Sequence, residues 1–357
     1  MGTRSRCRPR AECAISRSSR WPFPARSSWS NHTTTSEYST APRVWVLSDG
    51  RPGHDHQGLG VAEALGWSFI VKRVSRGRLA ALPNRLLGRT RSGLRRRERR
   101  ALSPPWPDLV IGAGRRTVPP ARWIKHQNPS TRLVQLMWPG SRRNIDLVVV
   151  PEHDRVREQP GVMQVIGSPH RVTKQRLRDA AECFVPKLAR LPRPYIVCLV
   201  GGPRRQLPFA PNDAGALAGR LNRMAQAFGG SLLVVTSRRT GPSCEQSLAQ
   251  SLDVPHLMHR FGQGEDHYLG ILGSADAVVV TADSASMCCE ACTVGCPVFI
   301  DRLSDAGPTK LGRLHMRLVQ LGYAAPLGAP WPKKQPPPLN PSATVAEAIR
   351  NLMESKP

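Results

Sequence analysis

Residues 275–302 read ADAVVVTADSASMCCEACTVGCPVFIDR, and their reading decides the fold. Ala277–Val280 is a short β-branched run with the length of a buried strand. Small and polar residues follow from Thr281 to Ser286. Met287–Val294 reads as a helix closed by Gly295, and Pro297–Ile300 as the next strand. Strand, polar turn, helix, strand is the unit of an open α/β sheet, whose ligands sit at the carboxyl ends of the strands. The hydroxyls of Ser284 and Ser286 fall near free N–H groups at a helix N-terminus, a natural phosphate site. Glu290, further along the helix, is suited to accept two ribose hydroxyls. The alternative is that Asp283 or Ser284 only caps the helix.

The same unit recurs upstream. Tyr195–Val200 is a strand ending in Gly201, Gly202, Pro203, Arg204 and Arg205, with a helix over 212–228. Leu232–Val235 ends in Thr236, Ser237, Arg238, Arg239 and Thr240, with a helix over 244–252. His256–Arg260 is a short strand before Gly262–Tyr268 and a helix over 269–274. The turns GGPRR, TSRRT, GQGEDHY and TADSAS then gather on one sheet edge. Glycines, hydroxyls and arginines there suit a diphosphate. The nucleotide-side candidates are Gly201, Gly202, Thr236, Ser237, Glu265, Asp283, Ser284, Ser286 and Glu290. Downstream come a helix over 310–321, a Pro-rich connector over 328–342, and an amphipathic helix over 342–353 capped by Ser342 or Thr344.

The N-terminal half repeats the pattern. Strands are expected at 44–47, 69–74, 108–114, 133–137, 147–150 and 163–167, a mostly parallel sheet. The first is followed by a Gly-containing loop, SDGRPGHDHQ, and a helix over 57–65. The loop lacks the dinucleotide fingerprint. His54 beside Asp55 suits a general base; His-x-His suits a metal, but no third ligand is evident. Gly53 allows close backbone approach. Arg115 and Arg116 follow the third strand and can face phosphate. Pro192 and Pro194 mark a boundary. The expected layout is a basic extension over 1–42, one Rossmann-like domain over 43–190, a second over 191–327, and a connector with a last helix over 328–357.

The formal charge is +27, from 52 Lys and Arg against 25 Asp and Glu. Such a charge attracts nucleic acid, anionic lipid or phosphorylated substrates. Few aromatics interleave with the basic runs, which disfavours a single-strand stacking platform, and specific nucleic-acid binding is not expected. The run from Arg89 to Arg100 is either a solvated face or a basic helix lying on an anionic membrane. No apolar run reaches the ~20 residues that span a bilayer. The 9 cysteines do not form a disulfide framework in so long a chain. Cys288 and Cys292 are one turn apart and read as small core residues. Free thiols suit a reducing, cytoplasmic compartment. Residues 1–42 resemble a mitochondrial transit peptide, and equally a sequence read from too early a start; they are treated as disordered.

Taken together, WVLSDGRPGHDHQGLGVAEALG, DLVIGAGRR, DLVVVPEHD, CLVGGPRR, LLVVTSRRT, GQGEDHY, VVVTADSASMCCEACTVGCPVFI and KLGRLHMRLVQLG resemble the mitochondrial-fission factors of the elongated-mitochondria type and their bacterial relatives. The resemblance runs from about Arg43 to about Leu327. It implies the two-domain GT-B architecture, two Rossmann-like domains facing a central cleft with a nucleotide-sugar mainly on the C-terminal domain. It carries Gly201, Gly202, Ser237, Asp283, Ser284, Ser286 and Glu290 to the nucleotide side, and Gly53 and His54 to the acceptor or catalytic side. Two loops depart from the family pattern, Gly264-Glu265-Asp266-His267-Tyr268 for the usual Gly-Glu-Asn-Pro-Tyr, and His54-Asp55-His56-Gln57 for the usual His-Glu-Asn-Gln. The expectation is a glycosyltransferase-like enzyme that uses a nucleotide-sugar, with no metal and no cofactor. The alternatives are a nucleoside-diphosphate-sugar epimerase, or a non-catalytic adaptor on a membrane surface recruiting a dynamin-related protein.

Overall fold

The structure is a computed structural model and describes residues 41–75, 82–205, 207–302, 307–332 and 337–355. The expectations for the N-terminal extension therefore lie outside the described residues. The first body is a six-stranded sheet. Its strands are β1 (Val44–Ser48), β2 (Phe69–Arg73), β3 (Leu109–Ala113), β4 (Arg132–Leu136), β5 (Leu147–Pro151) and β6 (Val162–Val165). They run in the order β2-β1-β3-β4-β5-β6, and every pairing is parallel. Val46 pairs with Val71 on one side and Ile111 on the other. β1 and β3 are buried along their whole length, as continuous apolar runs in a doubly covered sheet must be.

One face is covered by α1 (Pro52–Leu65), the other by α4 (Val118–Gln127). Two short helices lie between β2 and β3, α2 (Asn84–Leu87) and α3 (Arg96–Ala101). The basic run is thus no long helix. Six residues form α3, and Arg95, Arg96, Arg97, Arg99 and Arg100 stand in solvent, where like charges repel least.

After α5 (Lys174–Phe184) comes the second sheet, β7 (Tyr195–Val200), β8 (Ser231–Thr236), β9 (His256–His259), β10 (Ala277–Thr281), β11 (Val298–Asp301) and β12 (Ala325–Pro326). The order is β12-β11-β10-β7-β8-β9, again all parallel. α6 (Pro211–Phe228) and α7 (Pro242–Ser251) cover one face. α5, α8 (Tyr268–Gly273), α9 (Ala285–Val294) and α10 (Lys310–Gln320) cover the other. α11 (Pro341–Glu354) returns to the first body, where Val345, Ala346 and Ile349 pack beside α1.

Packing and chain order differ at two places. α5 lies within the stretch assigned to the first domain, yet Leu177 and Phe184 pack in the core of the second sheet. Gly270 and Gly273 explain the closeness, since a Cβ on either would meet α5 within 3.0 Å. α11 is capped by neither Ser342 nor Thr344. Asn340 Oδ1 accepts from the Ala343 N–H at 3.1 Å, and the Ser342 hydroxyl donates to the His170 carbonyl at 2.7 Å. That bond ties the two interdomain crossings together.

Candidate functional site

In each sheet the strand order reverses once, between β1 and β3 in the first and between β7 and β10 in the second. Turns leaving such neighbours in opposite directions open a crevice, the place where α/β sheets take ligands. The two carboxyl edges face each other. Lys310 at the start of α10, beyond β11, pairs with Asp154 beyond β5 at 2.9 Å, and Arg317 pairs with Glu152 at 2.8 Å.

At the first reversal, β1 runs out through Ser48 into Asp49. The expected loop over 48–57 is shorter than the sequence suggested. α1 begins at Pro52, because proline presets the helical φ and lacks an N–H that would go unbonded there. His54 and Asp55 are therefore in the first turn of a helix, and His56 opens the second. His54 Nδ1 lies 3.0 Å from Asp49 Oδ2, and the Arg51 N–H donates to Asp49 Oδ1 at 3.1 Å. Burial pulls the Asp49 carboxyl up, but the hydrogen bond and charge of His54, with Arg51, outweigh it and hold it low. An ionised carboxylate only accepts, so Nδ1 is the nitrogen that donates to Asp49 and Nε2 is the one turned away from it. Asp55 is not the partner of His54. It is buried against Ser48, its carboxyl is pushed up by burial, and among the described residues its Oδ1 has no hydrogen-bond partner.

The β3 turn supports the ring. Gly114 has φ +75°, and a Cβ there would come within 2.4 Å of His54 Cε1. Buried Gln135 donates to the Gly114 carbonyl at 3.1 Å, and the Thr117 hydroxyl does so at 2.9 Å. Arg115 is exposed and donates to the Leu82 carbonyl at 3.2 Å; Arg116 is half-buried. Gly53 is exposed, with nothing near its Cβ position.

At the second reversal the candidates are brought together more tightly. Asp283 Oδ2 accepts from the Gly202 N–H at 3.1 Å and pairs with Arg239 Nη2 at 2.6 Å. Thr281 Oγ1 donates to Asp283 Oδ1 at 2.6 Å and accepts from the Gly201 N–H at 2.8 Å. A Cβ on Gly201 would lie 2.1 Å from the Asp283 carboxylate, and one on Gly202 the same distance from the Arg239 carbonyl. The two glycines are thus required by the approach of three turns to one another. Ser284 caps α9, accepting from the Met287 N–H at 3.4 Å, and Ser286 is exposed beside it. The cavity at Gly202, Thr281 and Asp283 holds about 20 Å³, the space of one water.

Glu290 accepts from the Tyr268 hydroxyl. Burial pushes its carboxyl up to about 7, the tyrosine bond opposing the shift. Thr236 donates to Glu245 at 2.5 Å and accepts from the Phe261 N–H at 2.9 Å, while Ser237 closes its own turn on Thr240. Glu265 is not brought to this cluster. It is exposed and pairs with Lys187 at 3.6 Å, because the loop after β9 bends back over the helical face.

Cys288, Cys289 and Cys292 are buried in the core, their thiols raised by burial. Among the described residues no group of three or more His, Cys, Asp or Glu is placed to hold a metal ion, and no helix is long and apolar enough to cross a membrane. Sequence reasoning missed Asp49, Gly114 and Arg239. The signal for Asp49 was present, a carboxylate between a strand and a Pro-initiated helix, one turn before the histidine. Arg239 and Gly114 matter through contacts distant in sequence.

The family described as mitochondrial fission ELM1 matches residues 52–353. The mitochondrial fission protein ELM1 of Arabidopsis thaliana is 28% identical over 281 residues, covering 70% of this chain. The chain spans only 65% of that plant protein's length. An uncharacterized protein of Rickettsia prowazekii is 24% identical over 291 residues, 72% of this chain and 82% of its own. The fold is similar to that of the UDP-GlcNAc 2-epimerase from Methanocaldococcus jannaschii. The TM-score is 0.52 at 11% identity, over 88% of this chain and all of the other. With two parallel sheets facing across a cleft, this makes the architecture GT-B-like.

Proposed function

The chain belongs to the mitochondrial fission ELM1 family, and on that premise we propose that its cleft binds a nucleotide-sugar and transfers the sugar to an acceptor hydroxyl. The observation that carries the reading is the Asp49–His54 pair at the β1/β3 reversal. It faces a sheet whose own reversal ends in a capped helix N-terminus. The N–H groups of Ala285 and Ser286, in the first turn of α9, suit a diphosphate, with the Ser286 hydroxyl beside them. Asp283 acts as a clamp that holds the Gly201–Gly202 turn and Arg239 in place, not as a ligand group. Glu290 accepts from the ribose hydroxyls once the Tyr268 hydroxyl, which donates to its carboxylate, gives way.

In the transfer step, His54 Nε2 removes the proton of the acceptor hydroxyl. The acceptor oxygen bonds to the anomeric carbon as the bond from that carbon to the diphosphate oxygen breaks. The nucleoside diphosphate leaves with the electron pair, and Arg115 or Arg116 offsets its charge. Asp49 holds the imidazole in the productive tautomer and stabilises the imidazolium.

The test is thermal melting with a panel of nucleotides and nucleotide-sugars, followed by product analysis. A ligand at 100 times its dissociation constant adds about 2.7 kcal/mol, a visible shift. A shift with one nucleotide class, lost in Glu290→Ala, supports the donor site. Sugar isomerisation without an acceptor would make the protein an epimerase instead. No shift with any member of the panel would sink both. A second reading, an adaptor on an anionic membrane surface, draws on Leu82 and Leu86, 39% and 71% exposed, and on the exposed arginines of α3. It predicts vesicle binding that is lost when Arg96, Arg97 and Arg100 are neutralised and kept in His54→Asn.

A further inference from the structure

Arg122, on α4, is only 7% exposed. Among the described residues its one hydrogen bond runs from Nη2 to the Ser141 carbonyl at 2.6 Å, and its buried Nε has no partner. Among the described residues no carboxylate pairs with it. Burial, and after it the positive charge of Arg143, disfavour its charged form. A guanidinium keeps its proton at any pH a protein meets, so it cannot escape burial by neutralising. A buried charge is ordinarily paired. Among the described residues the pairing group is missing.

The surroundings fit an anion. Side chains on α4 lean toward the helix N-terminus, which carries Arg122 back toward the carboxyl edge of β3. The stretch Pro139–Ser141, beyond β4, is held from two sides. Arg122 holds Ser141, and Asn84 on α2 donates from Nδ2 to the Pro139 carbonyl at 3.2 Å. Asn84 Oδ1 is buried with no partner among the described residues, an acceptor for a hydroxyl on the same ligand. The helix N-terminus itself contributes little, because Pro119 and Pro120 remove two of its first N–H groups. The positive charge comes from side chains.

We propose that Arg122 and Arg143, with Asn84, form a second anion site in the first body that takes a phosphate or pyrophosphate group. If the cleft transfers a sugar, this is where a phosphate-bearing acceptor is anchored, and that clause alone rests on the function proposed above. The site lies on a different sheet from the Ser286 helix terminus, so the two can be filled independently.

The experiment is thermal melting and calorimetric titration of the full chain with inorganic phosphate and with pyrophosphate. Co-sedimentation with phosphatidylcholine vesicles, with and without phosphatidic acid, runs alongside. The expected result is stabilisation by free anion, by phosphatidic acid vesicles, or by both. Either source supports the site, and the pair tells a soluble phosphate from a lipid headgroup. Arg122→Met should weaken binding by about tenfold or more, the worth of one charge-assisted hydrogen bond. It should also melt above the parent protein in anion-free buffer, because it removes an uncompensated charge. Arg143→Ala, at an exposed position, should fold normally and weaken binding less, by about threefold. Nucleotide-induced shifts should persist in both variants, so failure here leaves the donor reading untouched. No response to either anion or to vesicles, or an undiminished response in Arg122→Met and Arg143→Ala, would overturn the proposal.

Discussion

The two sheet reversals share a topology and differ in how their polar groups are satisfied. At β7/β10, Asp283 is answered inside the protein by Gly202, Thr281 and Arg239. At β1/β3 several groups are not: among the described residues the His54 ring bonds through Nδ1 to Asp49 with no partner at Nε2, Asp55 Oδ1 is without a partner, and Arg122 has no counter-ion. A closed network specifies shape and resists change, while unanswered groups mark capacity for chemistry or ligand. The glycine- and acid-rich motif of the second sheet is therefore a closed brace around Asp283, and on the proposed reading the sparser first edge supplies the base.

This contrast can be broken at either end. The largest effect is expected at the first edge. His54→Asn should lower transfer by about 10²–10⁴-fold while shifting the urea midpoint by less than the equivalent of about 1 kcal/mol. A large stability loss without an activity change would reverse the assignment. Gly201→Val should do the opposite, costing about 3 kcal/mol in denaturant unfolding, since its Cβ would occupy the place of the Asp283 carboxylate. A neutral result would mean that the turns are not braced. Asp283→Asn should cost about 2 kcal/mol by leaving Arg239 and the Gly202 N–H poorly answered.

The pH dependence sharpens the second edge further. Burial raises Glu290 to about 7, from the ordinary 4.5 of an exposed carboxyl. Its ionised form is therefore disfavoured in the folded state. Stability from this group is complete below about pH 4.5 and is lost as the pH rises through 7, by at most about 3 kcal/mol. Melting of the parent protein should fall relative to Glu290→Gln across that window, and parallel curves would remove the burial argument. The smallest effect is expected at Gly53→Ala, which meets nothing. Its first-turn position in α1 should give a gain of up to about 1 kcal/mol.

Most of the architecture was legible because buried parallel strands are written as short continuous apolar runs. Tyr195–Val200, Ala277–Thr281 and Leu109–Ala113 could be found without the structure. So could the helix closed by Gly295, with its αL backbone at φ +89°, and the burial of Cys288 and Cys292. The two-residue β12 could not, since a strand so short has no periodicity. Nor could the short α3, because an Arg-rich run is compatible with both helix and solvated turn.

The candidate site divides along the same line. By itself the sequence determined which turns leave which strands, and so which glycines, hydroxyls and acids share a sheet edge, because that follows from strand order and local hydrogen bonding. Only the tertiary structure decided their roles. It paired His54 with Asp49 in place of Asp55, turned Asp283 toward Arg239, moved Glu265 out to Lys187, and left Arg122 buried without an acid among the described residues. Those outcomes rest on contacts between segments far apart in the chain and on burial, which sets the cost of leaving each charge unanswered. Composition and spacing carry no record of either.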